Sequence, residues 1–173
     1  MTEGPKRFKT RKSWNEFGHS HFLTFSTFDR RPYLADDRVS RLFAKNINKA
    51  ALELEFAVLA YVFMPDHVHL LIHPTREVYS MDEILQAMKQ GTGQIAKNKG
   101  WIATRLWLPG GGYDSNLTNS FARQLAISYI HMNPVRKEIA DEPCEFRWSS
   151  ANWFMTGEKG DVECRYLSEL WGT

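Results

Sequence analysis

The chain has 173 residues, 43% of them hydrophobic and 24% charged, with a net charge of +2. This composition suits one globular domain with a real core and excludes a disordered chain, a polycation or a disulfide scaffold. No apolar run approaches the roughly 18 residues of a membrane span. The opening "MTEGPKRFKTRKSWNEFGHSH" lacks a secretory apolar stretch, so a cytoplasmic protein is expected. Cys144 and Cys164 have no CxxC spacing and read as reduced thiols.

Residues 1–18 read as a basic arm, because "KRFKTRK" carries five cations and no anion. Such an arm suits phosphate contact, with plain surface charge as the alternative. "HFLTFSTF" (21–28) alternates and is β-rich, which predicts a strand. "RRPYL" breaks it. Asp36 or Asp37 can cap a following helix, in which Val39, Leu42, Phe43, Ile47 and Ala50 recur at helical spacing. "FAVLAYVFM" (56–64) is an apolar strand. Pro65 and Asp66 form a tight turn into a second strand, "HVHLLIHP", giving an antiparallel hairpin.

Ser80 and Glu83 stand in capping-box spacing and open another helix, which Gly91 and Gly93 are expected to kink or divide. "IATRLWLP" (102–109) reads as a strand and "GGGYDSN" as a flexible loop. "TNSFARQLAISYIHMN" reads as a helix that ends or kinks at Asn133, before Pro134, with Phe121, Leu125 and Ile127 or Ser128 near one face. Aromatics in "FRWSSANWF" and "RYLSELW" point to a tail packed on the body. The expected division is an arm (1–18), a central domain (19–143) and the aromatic tail (144–173). The order of elements predicts an α+β fold: an antiparallel sheet flanked by helices, close to a ferredoxin-like arrangement.

The central hairpin carries the first candidate site. Alternation places His67, His69, Leu71 and His73 on one face, and Val68, Leu70 and Ile72 on the other. Two imidazoles at adjacent same-face positions can share one cation. An HxH pair describes the polar face of a strand equally well, and His73 at the strand end reads as structural or exposed. No HExxH or distal HD pair supplies further ligands, so a typical zinc hydrolase is poorly supported.

The last helix offers a complement. Tyr129 and Asn133 are one turn apart on a shared face. The hydroxyl of Tyr129 can attack phosphorus, and the side-chain carbonyl of Asn133 can bind a metal. A buried tyrosine beside a capping asparagine is the structural alternative. Tyr113, in the glycine loop, is a rival nucleophile.

"FMPDHVHLLIHP" followed about sixty residues later by "YIHMNPVR" resembles the HUH single-tyrosine transposases, and most closely the REP-associated tyrosine transposases related to insertion-sequence enzymes. "FLTFSTFDRRPYL", "LWLPGGGYD" and "FRWSS" resemble flanking segments of that family, although relatives tend to carry bulkier residues where this chain has "GGGYD". The resemblance implies the HUH fold and cleavage of single-stranded DNA through a 5′-phosphotyrosine. It makes Tyr129 the nucleophile, His67 and His69 the catalytic histidines, and His67, His69 and Asn133 ligands to a divalent cation, Mg2+ or Mn2+.

It implies substrates with REP-like hairpins and favours a monomer, with a dimer as the alternative. Arg11, Lys12, Arg30, Lys97 and Arg136 are candidate DNA contacts. Two other readings stay open: a non-catalytic single-stranded nucleic-acid-binding module, and a metal-dependent nuclease with no covalent step.

Overall fold

Two apolar strands joined by a two-residue turn, with amphipathic helices before and after them, leave few ways to build a core. The computed structural model describes residues 15–110 and 112–170. Strands β1 (Ser20–Ser26), β2 (Phe56–Met64), β3 (His67–Pro74) and β4 (Tyr113–Leu117) form one sheet in the order β2-β3-β1-β4, with every neighbouring pair antiparallel. Helix α1 (Asp37–Glu53) connects β1 to β2 and α2 (Met81–Asn98) connects β3 to β4. This is the ferredoxin-like α+β arrangement expected from the sequence. Helix α3 (Ser120–Arg136) follows β4, and a short α4 (Ala151–Thr156) lies in the C-terminal segment.

The sheet has an apolar layer on each face. On one, Val39, Phe43 and Ile47 of α1 and Met81, Ile84 and Met88 of α2 pack on Leu23, Phe25, Phe63, Val68 and Leu70. On the other, Ala126 and Ile130 of α3 pack on Ala60, Val62, Met64 and Leu71. Each large apolar side chain so buried contributes about 1.5–3 kcal/mol. The β2 register slips between Val58 and Ala60, and Leu59 and Ala60 both join the α3 layer.

Helix starts are set by local side chains. Asp36 accepts from the Arg38 N–H at 2.9 Å, Ser80 from Glu83 and Asn119 from Ala122. Helix α2 runs unbroken through both glycines. The reason lies across the interface, where a Cβ at Gly91 would stand 3.0 Å from Asn46 Nδ2 of α1, so this glycine permits close helix packing. Helix α3 likewise continues past Asn133 to Arg136, with the buried Pro134 inside it. Its buried residues are Ala126, Ile130, Asn133 and Pro134, whereas Phe121 and Leu125 are exposed.

The region after α2 also differs from expectation. Residues 102–109 form no strand; Ile102 and Leu106 are core residues, and Trp107 makes a single bridge to Thr27. The fourth strand is instead "YDSNL", read from the sequence as loop. Its inward positions are polar and find partners. Asp114 accepts from His21 Nδ1 at 2.9 Å, and the other His21 nitrogen lies 2.8 Å from the Tyr79 hydroxyl, which donates to the Glu16 carbonyl. Gly112, at φ 75°, makes this pairing feasible because a Cβ there would overlap the Thr24 carbonyl oxygen.

The outer edge of β2 is covered by the C-terminal segment. Phe63 N–H donates to the Trp148 carbonyl at 2.8 Å and Ser150 N–H to the Tyr61 carbonyl at 3.0 Å. Buried Trp148 also donates its indole N–H to Asp37. No helix among the described residues is long and apolar enough to cross a membrane.

Candidate functional site

The α3 face of the sheet gathers the sequence's candidate residues. The β2–β3 turn is held by the segment that follows β1: the Thr27 N–H donates to the Asp66 carbonyl at 2.9 Å, and the Leu34 N–H donates to the Pro65 carbonyl at 3.0 Å. The turn delivers His67 and His69 to neighbouring positions, their ring centroids 4.9 Å apart and nearly perpendicular. His73 lies on the same face, fully buried, with Nδ1 3.0 Å from the Ser20 hydroxyl.

Each of the two paired imidazoles is oriented through Nδ1. His67 Nδ1 lies 2.6 Å from Asp66 Oδ1, and His69 Nδ1 lies 2.7 Å from the Thr24 hydroxyl. Nε2 of each ring is then the nitrogen that would meet a cation, since an outer hydrogen bond at one nitrogen commonly orients a metal-binding imidazole through the other. Burial opposes the charged form of Asp66, but its hydrogen bond to His67 and the positive charges of His67 and Arg30 prevail and hold the carboxyl below its ordinary range. His69 is 5% exposed. Burial and then the charge of His67 push its pKa down to about 4, with the Asn133 hydrogen bond opposing them. At neutral pH it is therefore uncharged, as a ligand must be.

Helix α3 brings Tyr129 against this pair. The Tyr129 ring meets His69 edge-on at 5.2 Å, and the residue is 41% exposed. Asn133, one turn later and buried, donates its amide to the Tyr129 carbonyl at 2.8 Å, and its side chain also hydrogen-bonds His69. Among the described residues no three His, Cys, Asp or Glu side chains gather as a metal cluster; a cation held here would have two imidazoles and one amide oxygen as its protein donors. Mixed nitrogen and oxygen donors with no thiolate suit Mn2+ or a similar borderline cation better than Mg2+, which favours an all-oxygen shell.

Of the cationic candidates, Arg30 is paired with Asp66 at 3.4 Å, on a turn where Asp29 and Arg30 both have φ near 54°. That left-handed backbone is rare outside glycine. The Arg136 guanidinium lies 5.3 Å over the Tyr129 ring. Lys97 belongs to the opposite side of the sheet, on α2. Arg11 and Lys12 lie outside the described residues. Tyr113 is 58% exposed and one ring farther out, meeting Phe22 edge-on at 6.4 Å.

Phe22, Thr24 and Asp66 escaped the sequence reading. Phe22 stacks on His69 at 5.7 Å and meets Tyr129 edge-on at 5.8 Å, joining the two halves of the site. Alternation in "HFLTFSTF" does put Phe22 and Thr24 on one face; the missing information was the register that sets Thr24 opposite His69. Asp66 was legible only as a turn residue.

A family model described as "Transposase IS200 like" matches residues 17–133. Among solved structures, a REP-associated tyrosine transposase bound to a REP hairpin aligns with TM-score 0.70 at 16% identity, over 96% of this chain and 93% of that one. A candidate transposase from Deinococcus radiodurans R1 is 21% identical over 75% of this chain and 95% of its own, with TM-score 0.46. A comparison with curated protein sequences gives no match.

Proposed function

The chain belongs to the IS200-like transposase family, and on that premise we propose that it is a single-stranded DNA transesterase with Tyr129 as its nucleophile. The observation that carries this reading is the edge-on approach of Tyr129 to His69 at 5.2 Å, beside a second oriented imidazole. The Tyr129 oxygen attacks a backbone phosphorus. A new phosphorus–oxygen bond to tyrosine replaces the bond to the 3′ oxygen, which leaves with a proton as a free 3′-hydroxyl. The DNA is left as a 5′-phosphotyrosine. Attack by a 3′-hydroxyl on that linkage rejoins the strand and releases the tyrosine, so no nucleotide hydrolysis is needed.

His67, His69 and Asn133 would hold a divalent cation, Mn2+ or Mg2+, whose chemistry is polarisation of a non-bridging phosphate oxygen. The protein's own contribution is orientation. Asp66 and Thr24 orient the imidazoles, Phe22 packs on both His69 and Tyr129, and Arg30 and Arg136 offer positive charge beside them. The substrate is DNA in the cytoplasm with REP-like hairpins. This reading draws on the sequence resemblance and on the hairpin bound by the similar solved structure.

The test is incubation with 3′-end-labelled, hairpin-bearing single-stranded DNA and Mn2+, followed by a denaturing gel. Labelled protein of reduced mobility is expected for the native chain and none for Tyr129→Phe. Adducts that persist in Tyr129→Phe overturn the assignment. Nicking with a free 5′-phosphate and no adduct would indicate a hydrolytic nuclease, and metal-independent binding without cleavage a binding module.

A further inference from the structure

On the other face of the sheet, α2 and the segment 104–107 enclose a cleft of about 450 Å3. Its helical wall carries two rows at four-residue spacing. Gln86, Gln90 and Gln94 form one; Lys89, Gly93 and Lys97 form the other. Arg105 and the half-buried Trp107 form the opposite wall. No carboxylate is among the described lining residues. At Gly93 the floor is helix backbone, since even a Cβ there would only reach ordinary contact, 3.5 Å from Leu106. The row of amides and the exposed Lys97 and Arg105 offer hydrogen-bonding groups and phosphate-binding charge, whereas Lys89 lies over the Phe25 ring at 4.5 Å.

The wall of the cleft formed by 104–107 is tied to the end of β1 that stands beside the candidate active site. Leu106 accepts from the Phe28 N–H at 2.8 Å and Leu108 donates to Ser26, which stands opposite His67 in the sheet. The Arg105 guanidinium lies 5.0 Å over the Phe28 ring, two residues before Arg30, itself paired with Asp66. A strand leaving His67 past Arg30 therefore reaches Arg105 without crossing the core.

We propose that this cleft binds an unpaired stretch of the DNA strand flanking the reactive phosphate, its phosphates on Lys97 and Arg105 and its bases against the glutamine row. The inference rests on the transesterase reading for its choice of strand. It is tested by fluorescence anisotropy of labelled hairpins with and without a single-stranded flank, in chelator so that no cleavage occurs. The double variant Lys97→Glu/Arg105→Glu is compared with Lys45→Glu/Lys49→Glu, an equal charge change on exposed positions of α1.

The cleft variant is expected to bind the flanked hairpin about tenfold more weakly and to lower the salt slope by about two. Binding of the blunt hairpin should match that of the control variant. Equal losses in the two double variants, or an equal loss for blunt and flanked DNA, overturn the proposal. If the cleft result holds while no Tyr129 adduct forms, the tyrosine chemistry fails and the cleft stands. If adducts form while the cleft variant binds like the control, the cleft fails alone.

Discussion

Thr24 of β1 and His69 of β3 face each other across the sheet and share a 2.7 Å hydrogen bond between hydroxyl and Nδ1. A strand residue with no contact to DNA chemistry thereby decides which nitrogen of His69 is presented. Thr24→Val keeps the shape and removes the hydroxyl. Mn2+ affinity is expected to fall by about 10–100-fold, the usual cost of losing such an outer partner, while Thr24→Ser retains it. Calorimetric Mn2+ titration with a thermal melt checks both; unchanged affinity in the valine variant would refute the role of Thr24.

Gly112→Ala is expected to loosen the β1–β4 ladder. The new Cβ would overlap the Thr24 carbonyl oxygen, and φ 75° disfavours a side chain there. A stability loss of about 1–3 kcal/mol should appear in urea melts, with faster amide exchange at Ser115 and Leu117. Gly110→Ala, at φ 97° with nothing within 4 Å of its Cβ, carries the backbone penalty alone and should lose less.

The two helix glycines should behave differently. Gly93→Ala adds a methyl at ordinary contact distance and removes the flexibility of glycine within a helix, a gain of about 0.5–1 kcal/mol. Gly91→Ala sets the same propensity against a 3.0 Å approach to Asn46, whose amide donates to Thr92 at 2.8 Å. Thermal melts should rank Gly93→Ala above the native chain and Gly91→Ala below Gly93→Ala.

Stability should fall on acidification. Burial, then the charges of Arg123 and His21, push His73 down to about 4, and burial does the same to His131. Between that value and the ordinary histidine pKa of about 6.5, the unfolded chain takes up protons that the folded chain refuses. The stabilisation is therefore whole above about pH 6.5 and declines toward pH 4, by on the order of 1–2 kcal/mol per histidine at about pH 5. Urea midpoints at neutral and mildly acidic pH measure it, and His131→Gln should flatten the decline.

The sheet's interior was legible because its signals are local: alternation in β1, unbroken apolar runs in β2 and β3, and a two-residue turn between them. The same alternation selected the shared face of His67 and His69. What failed was long-range. β4 reads backwards, with polar Asp114 and Asn116 turned inward because His21 and His19 await them. Residues 102–109 have the composition of a strand, but Ile102 and Leu106 fill the core. Pro134 forbids only a hydrogen bond to the turn before it, and α3 tolerates that loss for the sake of burying the ring. Tyr129 and Asn133 were paired by helical spacing, whereas their meeting with His69 depends on how α3 lies across β2.

Phe22 touches His69, Tyr129 and Tyr113 with a single ring. The consequence is epistasis. Substitutions on β3 and on α3 share a neighbour, so their effects on the site should not add, and the two halves are free to change only together.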